Sequence, residues 1–303
     1  MSSLRRYHCD PGRVITSAKM IFSSSQKHTL VVEGEADLRL LQNWLNDRCA
    51  RLETVNGKDN VKEVWRKAKS MKFAAIHCLA DLDYDLVANY SPIIDSQFVY
   101  ISMEDGQSAD EIECNDLESA LIKSNAFRKV IVQKLRAKDL AEKDINSLVA
   151  TLRESLRVAS RNIGAFRAAD LCYRRSNGSS PIGGDFNIVD LYFDRATLRV
   201  DIEGITQSLL RSSRTSRTAM EEVVDMARNL LVQYDAGWQL CRGHDLTEML
   251  GIYLTDRLGR PVSTREVEQD LRMSCELQTL YQTRFGKRLQ EIGKGLGKPL
   301  LVA

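Results

Sequence analysis

An α/β fold built on a parallel sheet is the class that this 303-residue sequence predicts. Short apolar, β-branched runs alternate with stretches whose apolar residues recur at helical spacing, and that alternation implies strand–helix–strand crossovers and parallel strands. The strands are apolar almost throughout rather than at every second position, as expected of a sheet covered on both faces. Acidic residues then gather directly after the strands, and open parallel sheets place their sites beyond the carboxyl ends of strands.

HTLVVEG (28–34) reads as the first strand, closing on a glycine, and EADLRLLQNWLNDRCA continues it as a helix. RLETVNG (51–57) follows as a strand, NVKEVWRKAKSM (60–71) as an amphipathic helix and FAAIHCLA (73–80) as a buried strand. QFVYISM (97–103) is a fourth strand, and NDLESALIKS opens a helix. From Phe127 the texture becomes helical, as in VIVQKLRAKDLAEKDINSLVATLRESLRVASRNI. A turn-rich passage, RRSNGSSPIGGD (174–185), precedes strand-like pieces around NIVDLYF and TLRVDI, and helix resumes with TAMEEVVDMARNLLVQY. WQLCRGHDLTEMLGIYL (238–254) again has the pattern strand, turn, helix, which would return the chain to the sheet. Three regions are therefore expected: a core over 1–126, a mainly helical insertion over 127–234 that offers partner and nucleic-acid surfaces, and a returning strand–helix unit with C-terminal helices over 235–303.

With 43% hydrophobic and 28% charged residues the chain can bury a substantial core. No apolar run approaches the roughly 20 residues of a membrane span, and MSSLRRYHCD lacks the apolar segment of a signal peptide, so a cytoplasmic location is expected. Seven scattered cysteines with no C-x-x-C pair argue against a disulfide framework and a thiolate zinc site.

The charge pattern is less ordinary. From Phe73 to Ile122 there are eleven acidic residues and no lysine or arginine. A one-sign stretch that also contains strands suggests a neutralising cation from elsewhere. Within it, LADLDYD places Asp81, Asp83 and Asp85 at alternate positions; in an extended chain these point to one side, so Asp81 and Asp83 would converge as a chelating pair. An EF-hand is excluded, because loop positions 6 and 12 hold Leu86 and Pro92 instead of glycine and glutamate. A haloacid-dehalogenase-type phosphatase places its D-x-D in the first strand with Thr or Val beyond it, where Asp85 stands here. An exposed acidic turn is the plain alternative. After the first strand, VVEGEAD puts Glu33 at the strand end, Gly34 at a tight turn or close approach and Asp37 near a helix start, where an acid is also favoured by the helix dipole.

An EG turn after the first strand together with a D-x-D after the third resembles the TOPRIM domain of topoisomerases, bacterial primases and OLD-type nucleases. That resemblance implies a Rossmann-like parallel sheet with helices on both faces. It also implies Glu33 as metal ligand or general acid/base, Asp81 and Asp83 as metal ligands, Asp37 as a further catalytic acid and Mg2+, replaceable by Mn2+, as cofactor. The set VVEGEADLRLL, LADLDYD, NDLESALIKS and CRGHDLTEML is similar to the TOPRIM effector family that includes the nuclease subunit of the PARIS phage-defence system. The resemblance adds Glu118 as an acid of the site, although N-x-x-E at a helix start is also a capping-box pattern. Asp85 is a ligand or a solvated turn residue, and His244 a candidate phosphate contact. The family implies host tRNA as substrate, an ABC-type ATPase partner that restrains the nuclease, and a homodimer after release. ATP hydrolysis by this chain itself is not expected, since GKGLGK lacks the Ser or Thr of a P-loop.

Backbone phosphates need cations, and Arg161, Arg167, Arg174, Arg175, the RSSRTSR run (Arg211, Arg214, Arg217) and the C-terminal GKR and GKGLGK elements are the candidates. In AFRAADLCYRRSNG, Phe166 and Tyr173 stand among Arg167, Arg174 and Arg175, a combination suited to RNA loops. The alternatives are an OLD-type DNA endonuclease, a phosphatase-like hydrolase and a binding subunit without catalysis.

Overall fold

A computed structural model describes residues 10–101, 115–135, 141–183, 187–211, 216–235 and 237–302. Arg214 and the last two residues of the predicted fourth strand, Ser102 and Met103, lie outside them. The chain divides into two compact units, one formed by Met1–Leu82, Ile93–Met103 and Glu276–Ala303, the other by Asp83–Pro92 and Glu104–Cys275.

The first unit holds the sheet. Its strands are β1 (His28–Val32), β2 (Ala50–Thr54), β3 (Ile76–Asp81) and β4 (Phe98–Ile101), in the order β2-β1-β3-β4. Every neighbouring pair is parallel, with Val31 opposite both Glu53 and Cys78, and Ala80 opposite Tyr100. Thr29 to Val32 and Ile76 to Ala80 are buried without a break. Successive side chains point to opposite faces, so both faces of the central strands are covered. The cover includes helix Lys58–Ser70, which lays Val61, Val64 and Ala68 against β3, and helix Pro11–Ser25, which packs on that helix through Val14, Ile15 and Ala18. Asp10 caps the latter helix by accepting the Arg13 N–H at 2.7 Å, with proline at its first position. Helix Arg284–Gly295 lies along β4. The C-terminal segment is tied to the end of helix Glu35–Gln42 by hydrogen bonds from Val302 N–H to the Trp44 carbonyl (2.7 Å) and from Asn46 N–H to the Leu300 carbonyl (2.8 Å).

Among its described residues the second unit is built of helices, with one short β pair. Its longest element, Glu142–Asn177, has 36 residues and so runs about 54 Å at about 1.5 Å per residue. Ile145, Val149, Leu152, Leu156, Ala159 and Ile163 form its buried stripe, at alternating spacings of four and three. Helix Arg217–Gln233 packs on it with Met220, Val223, Val224 and Ala227 buried. Gly178, at φ 77°, ends the long helix, its N–H donating to the Arg174 carbonyl at 2.8 Å.

Of two strand expectations here, one holds only in part and one fails. NIVDLY is the short helix Ile188–Tyr192, capped by Asn187, and only Phe193–Asp194 pairs, antiparallel, with Arg199–Val200. At WQLC there is a turn with Leu240 and Cys241 buried and Trp238 and Gln239 half-buried, and Cys241 N–H is bonded to the Trp238 carbonyl at 2.9 Å. Side chains satisfy the carbonyls that a ladder would have used: Asn115 donates to those of Gln239 and Cys241, and Tyr84 to that of Leu240. The same Leu240 carbonyl comes so near Gly164 that a Cβ there would lie 1.6 Å from its oxygen. The returning strand at 238 is therefore absent and the described sheet has four strands. No described helix is long and apolar enough to cross a membrane.

Candidate functional site

The carboxyl end of the sheet in the first unit brings Glu33 and Asp81 together. Glu33 follows β1, and its Oε1 accepts the main-chain N–H of Asp81, the last residue of β3, at 2.8 Å. A carboxylate that receives a backbone donor is held in one orientation, and this bond continues from side chain to backbone where the strand ladder stops. Asp37 points back to the same turn, its Oδ2 accepting the Gly34 N–H at 3.1 Å. That bond is one half of a capping box on helix Glu35–Gln42, the half that Asp37 supplies, since the N-cap Gly34 has no side chain to return it. Gly34 is extended, with φ −143°, and a Cβ there would meet nothing nearer than 3.9 Å, so the expected tight turn or close approach does not need a glycine.

The turn after β2 was not singled out in the sequence. Asn56 and Gly57 both have positive φ, 53° and 105°, and Gly57 N–H donates to the Glu33 carbonyl at 3.0 Å. Asn60 braces the turn by donating to the carbonyls of Val55 (2.8 Å) and Asn56 (3.1 Å). Lys58 reaches the Leu82 carbonyl at 3.0 Å. An N-G-K signature between strand and helix is the signal that could have drawn attention to it.

Extended geometry stops at Asp81. Asp83 has φ 50°, a left-handed conformation that aspartate tolerates better than most residues, and residues 83–89 form consecutive turns. Ala88 N–H bonds to the Tyr84 carbonyl at 2.8 Å and Tyr90 N–H to the Asp85 carbonyl at 2.7 Å. The expectation that Asp81, Asp83 and Asp85 alternate along a strand is therefore corrected. Asp83 and Asp85 belong to the second unit, where Asp83 N–H is held by the Asn115 carbonyl at 2.9 Å.

Among the described residues no group of three or more His, Cys, Asp or Glu is placed to hold a metal ion. The donor chemistry of Glu33 and Asp81 nonetheless fits Mg2+, which is bound through one or two carboxylates, with waters and phosphate completing its octahedron, rather than by an all-protein cage.

The other candidates lie in the second unit. The helix Leu117–Lys123 is capped by Asp116, not Asn115, so the N-x-x-E box is out of register. Asp116 accepts from Ser119 N–H (2.9 Å) and Gly243 N–H (2.7 Å), and burial, followed by the charge of Glu118, pushes its carboxyl up to about 7. Glu118 pairs with Arg272, which also reaches Glu268 at 3.3 Å. His244 opens helix Gly243–Leu258, with Nδ1 3.3 Å from Glu268 Oε1, and that bond raises its pKa. Next to it, Asp245 is fully buried and takes both arms of Arg167, at 2.9 and 3.0 Å. Arg167 is therefore engaged in an ion pair with 24% of its side chain exposed, while Phe166 is 1% exposed and does not stand on the surface expected for RNA. Arg174 and Arg175 are exposed. Arg175 donates to the Ala88 carbonyl and stacks over the ring of Tyr90 at 4.7 Å, an aromatic partner that sequence spacing did not reveal. Arg161 is paired with Asp235.

Comparison with known proteins finds no matching family model, no matching curated protein and no matching solved structure.

Proposed function

We propose that the sheet unit is a TOPRIM-type catalytic core and that the protein is a Mg2+-dependent endonuclease. The observation that carries this reading is the joined pair Glu33 and Asp81 at the carboxyl end of adjacent parallel strands. Acids at that edge of an open α/β sheet are positioned for a ligand beyond the strands rather than for the core. Glu33 and Asp81 would hold the ion. Bound Mg2+ supplies polarisation of a phosphoryl oxygen and a water of lowered pKa. The chain's own part is orientation: the Asp81 N–H fixes the Glu33 carboxylate, and Asp37 fixes the Gly34 turn that carries it.

Structured RNA, with host tRNA the leading case, is the proposed substrate, and an ABC-type ATPase the proposed restraining partner, with dimerisation on release; these follow the resemblance to TOPRIM defence effectors. The exposed Arg174 and the stacked Arg175 and Tyr90 support an RNA contact, since an unstacked base and its phosphates are met by aromatic rings and guanidinium groups.

The test is incubation of the purified protein, with and without the co-expressed ATPase, with total RNA or plasmid DNA and Mg2+, beside Glu33→Gln. Discrete tRNA fragments that vanish with EDTA and fall at least about 100-fold in the variant are expected, in line with loss of a metal ligand or base. Plasmid nicking with intact tRNA would replace RNA by DNA as substrate. Wild-type cleavage by Glu33→Gln would remove Glu33 from the mechanism.

A further inference from the structure

Beyond the acids, the turn between β2 and helix Lys58–Ser70 is built to hold the far side of the same edge. Three hydrogen bonds run across the strand ends. Gly57 N–H donates to the Glu33 carbonyl (3.0 Å), the Glu33 carboxylate accepts from Asp81 N–H (2.8 Å), and the Lys58 ammonium donates to the Leu82 carbonyl (3.0 Å). In the order β2-β1-β3-β4 the first bond links the β2 turn to β1 and the second links β1 to β3, while the third passes from the β2 turn across β1 to the residue after β3. Asp81 is thus held on both sides, by its own N–H and by the carbonyl of the next residue.

Regular pairing ends at these positions, and each unpaired main-chain group at a buried edge needs a partner. Leu82 is 0% exposed, so its carbonyl cannot rely freely on bulk water. A lysine is not needed to begin this helix, whose N-cap Gly57 makes no side-chain cap bond. A turn with two positive-φ residues, braced by Asn60, places the lysine where it can span two strands. A charged donor makes a stronger bond to a carbonyl than a neutral one, and its long stem can cross the intervening strand end.

We propose that Lys58 is a positioning residue of the Glu33–Asp81 site: by fixing the Leu82 carbonyl it sets the direction in which Asp81 leaves the sheet. This rests on the nuclease reading for its consequence but not for its geometry. Two readouts separate them. Hydrogen exchange of the metal-free protein reports the clamp through the amides of residues 79–82, and Mn2+ binding to the protein alone reports the effect on the acids.

Lys58→Met is expected to speed exchange in the 79–82 segment about tenfold, the loss of one charged hydrogen bond. It is also expected to weaken Mn2+ binding about tenfold, the scale on which groups that orient metal ligands act. Helix content and melting temperature should stay near those of wild type, and Lys58→Arg, whose guanidinium can donate to the same carbonyl, should recover most of both effects. Unchanged exchange in Lys58→Met overturns the proposal whatever the metal data show. Faster exchange in Lys58→Met, with no Mn2+ binding even by wild type, leaves the clamp standing and removes the metal reading instead. Faster exchange with undiminished Mn2+ affinity overturns the positioning role, because the clamp would then serve the fold alone.

Discussion

Replacing Arg167 by methionine separates a nucleic-acid contact from a structural ion pair. Arg167 holds fully buried Asp245 through two parallel bonds, Nε to Oδ2 at 2.9 Å and Nη2 to Oδ1 at 3.0 Å, while Arg242 stands 3.9 Å from the same carboxylate. Removing one partner of such a pair leaves a buried charge uncompensated and costs about 3–5 kcal/mol. The remaining Arg242 and the start of helix Gly243–Leu258 favour the anion, which puts the expected loss near the lower limit, about 3 kcal/mol. Asp245→Asn in the Arg167→Met background should return at least about 1 kcal/mol, because the neutral amide no longer carries a charge without its partner. Urea unfolding followed by the helical circular dichroism signal measures all four corners of this cycle. If Arg167→Met kept wild-type stability and additive behaviour with Asp245→Asn, the pair would not hold the unit together. If RNA affinity also fell at that unchanged stability, the arginine would belong to the binding surface instead.

The sheet unit should respond to acid through His77. Its ring stacks on His28 with centroids 5.3 Å apart and Nε2 3.2 Å from His28 Nδ1, and burial, then His28 and Arg288, lower its pKa to about 4. A base whose folded pKa lies below its unfolded value of 6.5 contributes stability that is present above 6.5 and lost as pH falls toward 4. Between pH 7.5 and 5 the loss is about 2 kcal/mol, and urea titrations should show His77→Phe with a correspondingly flatter pH dependence; parallel curves would count against the buried neutral pair. Gly164→Ala should destabilise the helical unit by about 3 kcal/mol, since the new Cβ would lie 1.6 Å from the Leu240 oxygen and 2.9 Å from the Tyr84 hydroxyl. A melting temperature within a degree or so of wild type would show that the helix and the turn separate without cost.

What the sequence determined was local. Runs such as LVV and IHCLA carry enough β-branched and apolar surface to specify buried strands, and their alternation with helices specified the parallel pairing of β1, β2 and β3, whereas β4 joins β3 in parallel with no helix between them. Helix Pro11–Ser25 is written in the sequence too, in an Asp–Pro start and apolar residues three to four apart. Glu33 and Asp81 were legible as acids of one sheet edge because Glu33 directly follows β1 and Asp81 closes β3, and parallel neighbours end on the same side. Tertiary structure alone decided the rest. WQLC is apolar enough for a strand, yet Asn115, Tyr84 and the close approach at Gly164 claim its backbone and make it a turn. Period-two spacing in DLDYD implied an extended chain, but the positive φ of Asp83 ends the strand, a choice that local propensity permits without requiring. Arg167 and Arg175 look alike in sequence and differ only in what lies opposite: a buried carboxylate for one, a carbonyl and an aromatic ring for the other. A side chain's charge is written in the sequence, whereas the partner that consumes or leaves that charge is set by chain segments tens of residues away.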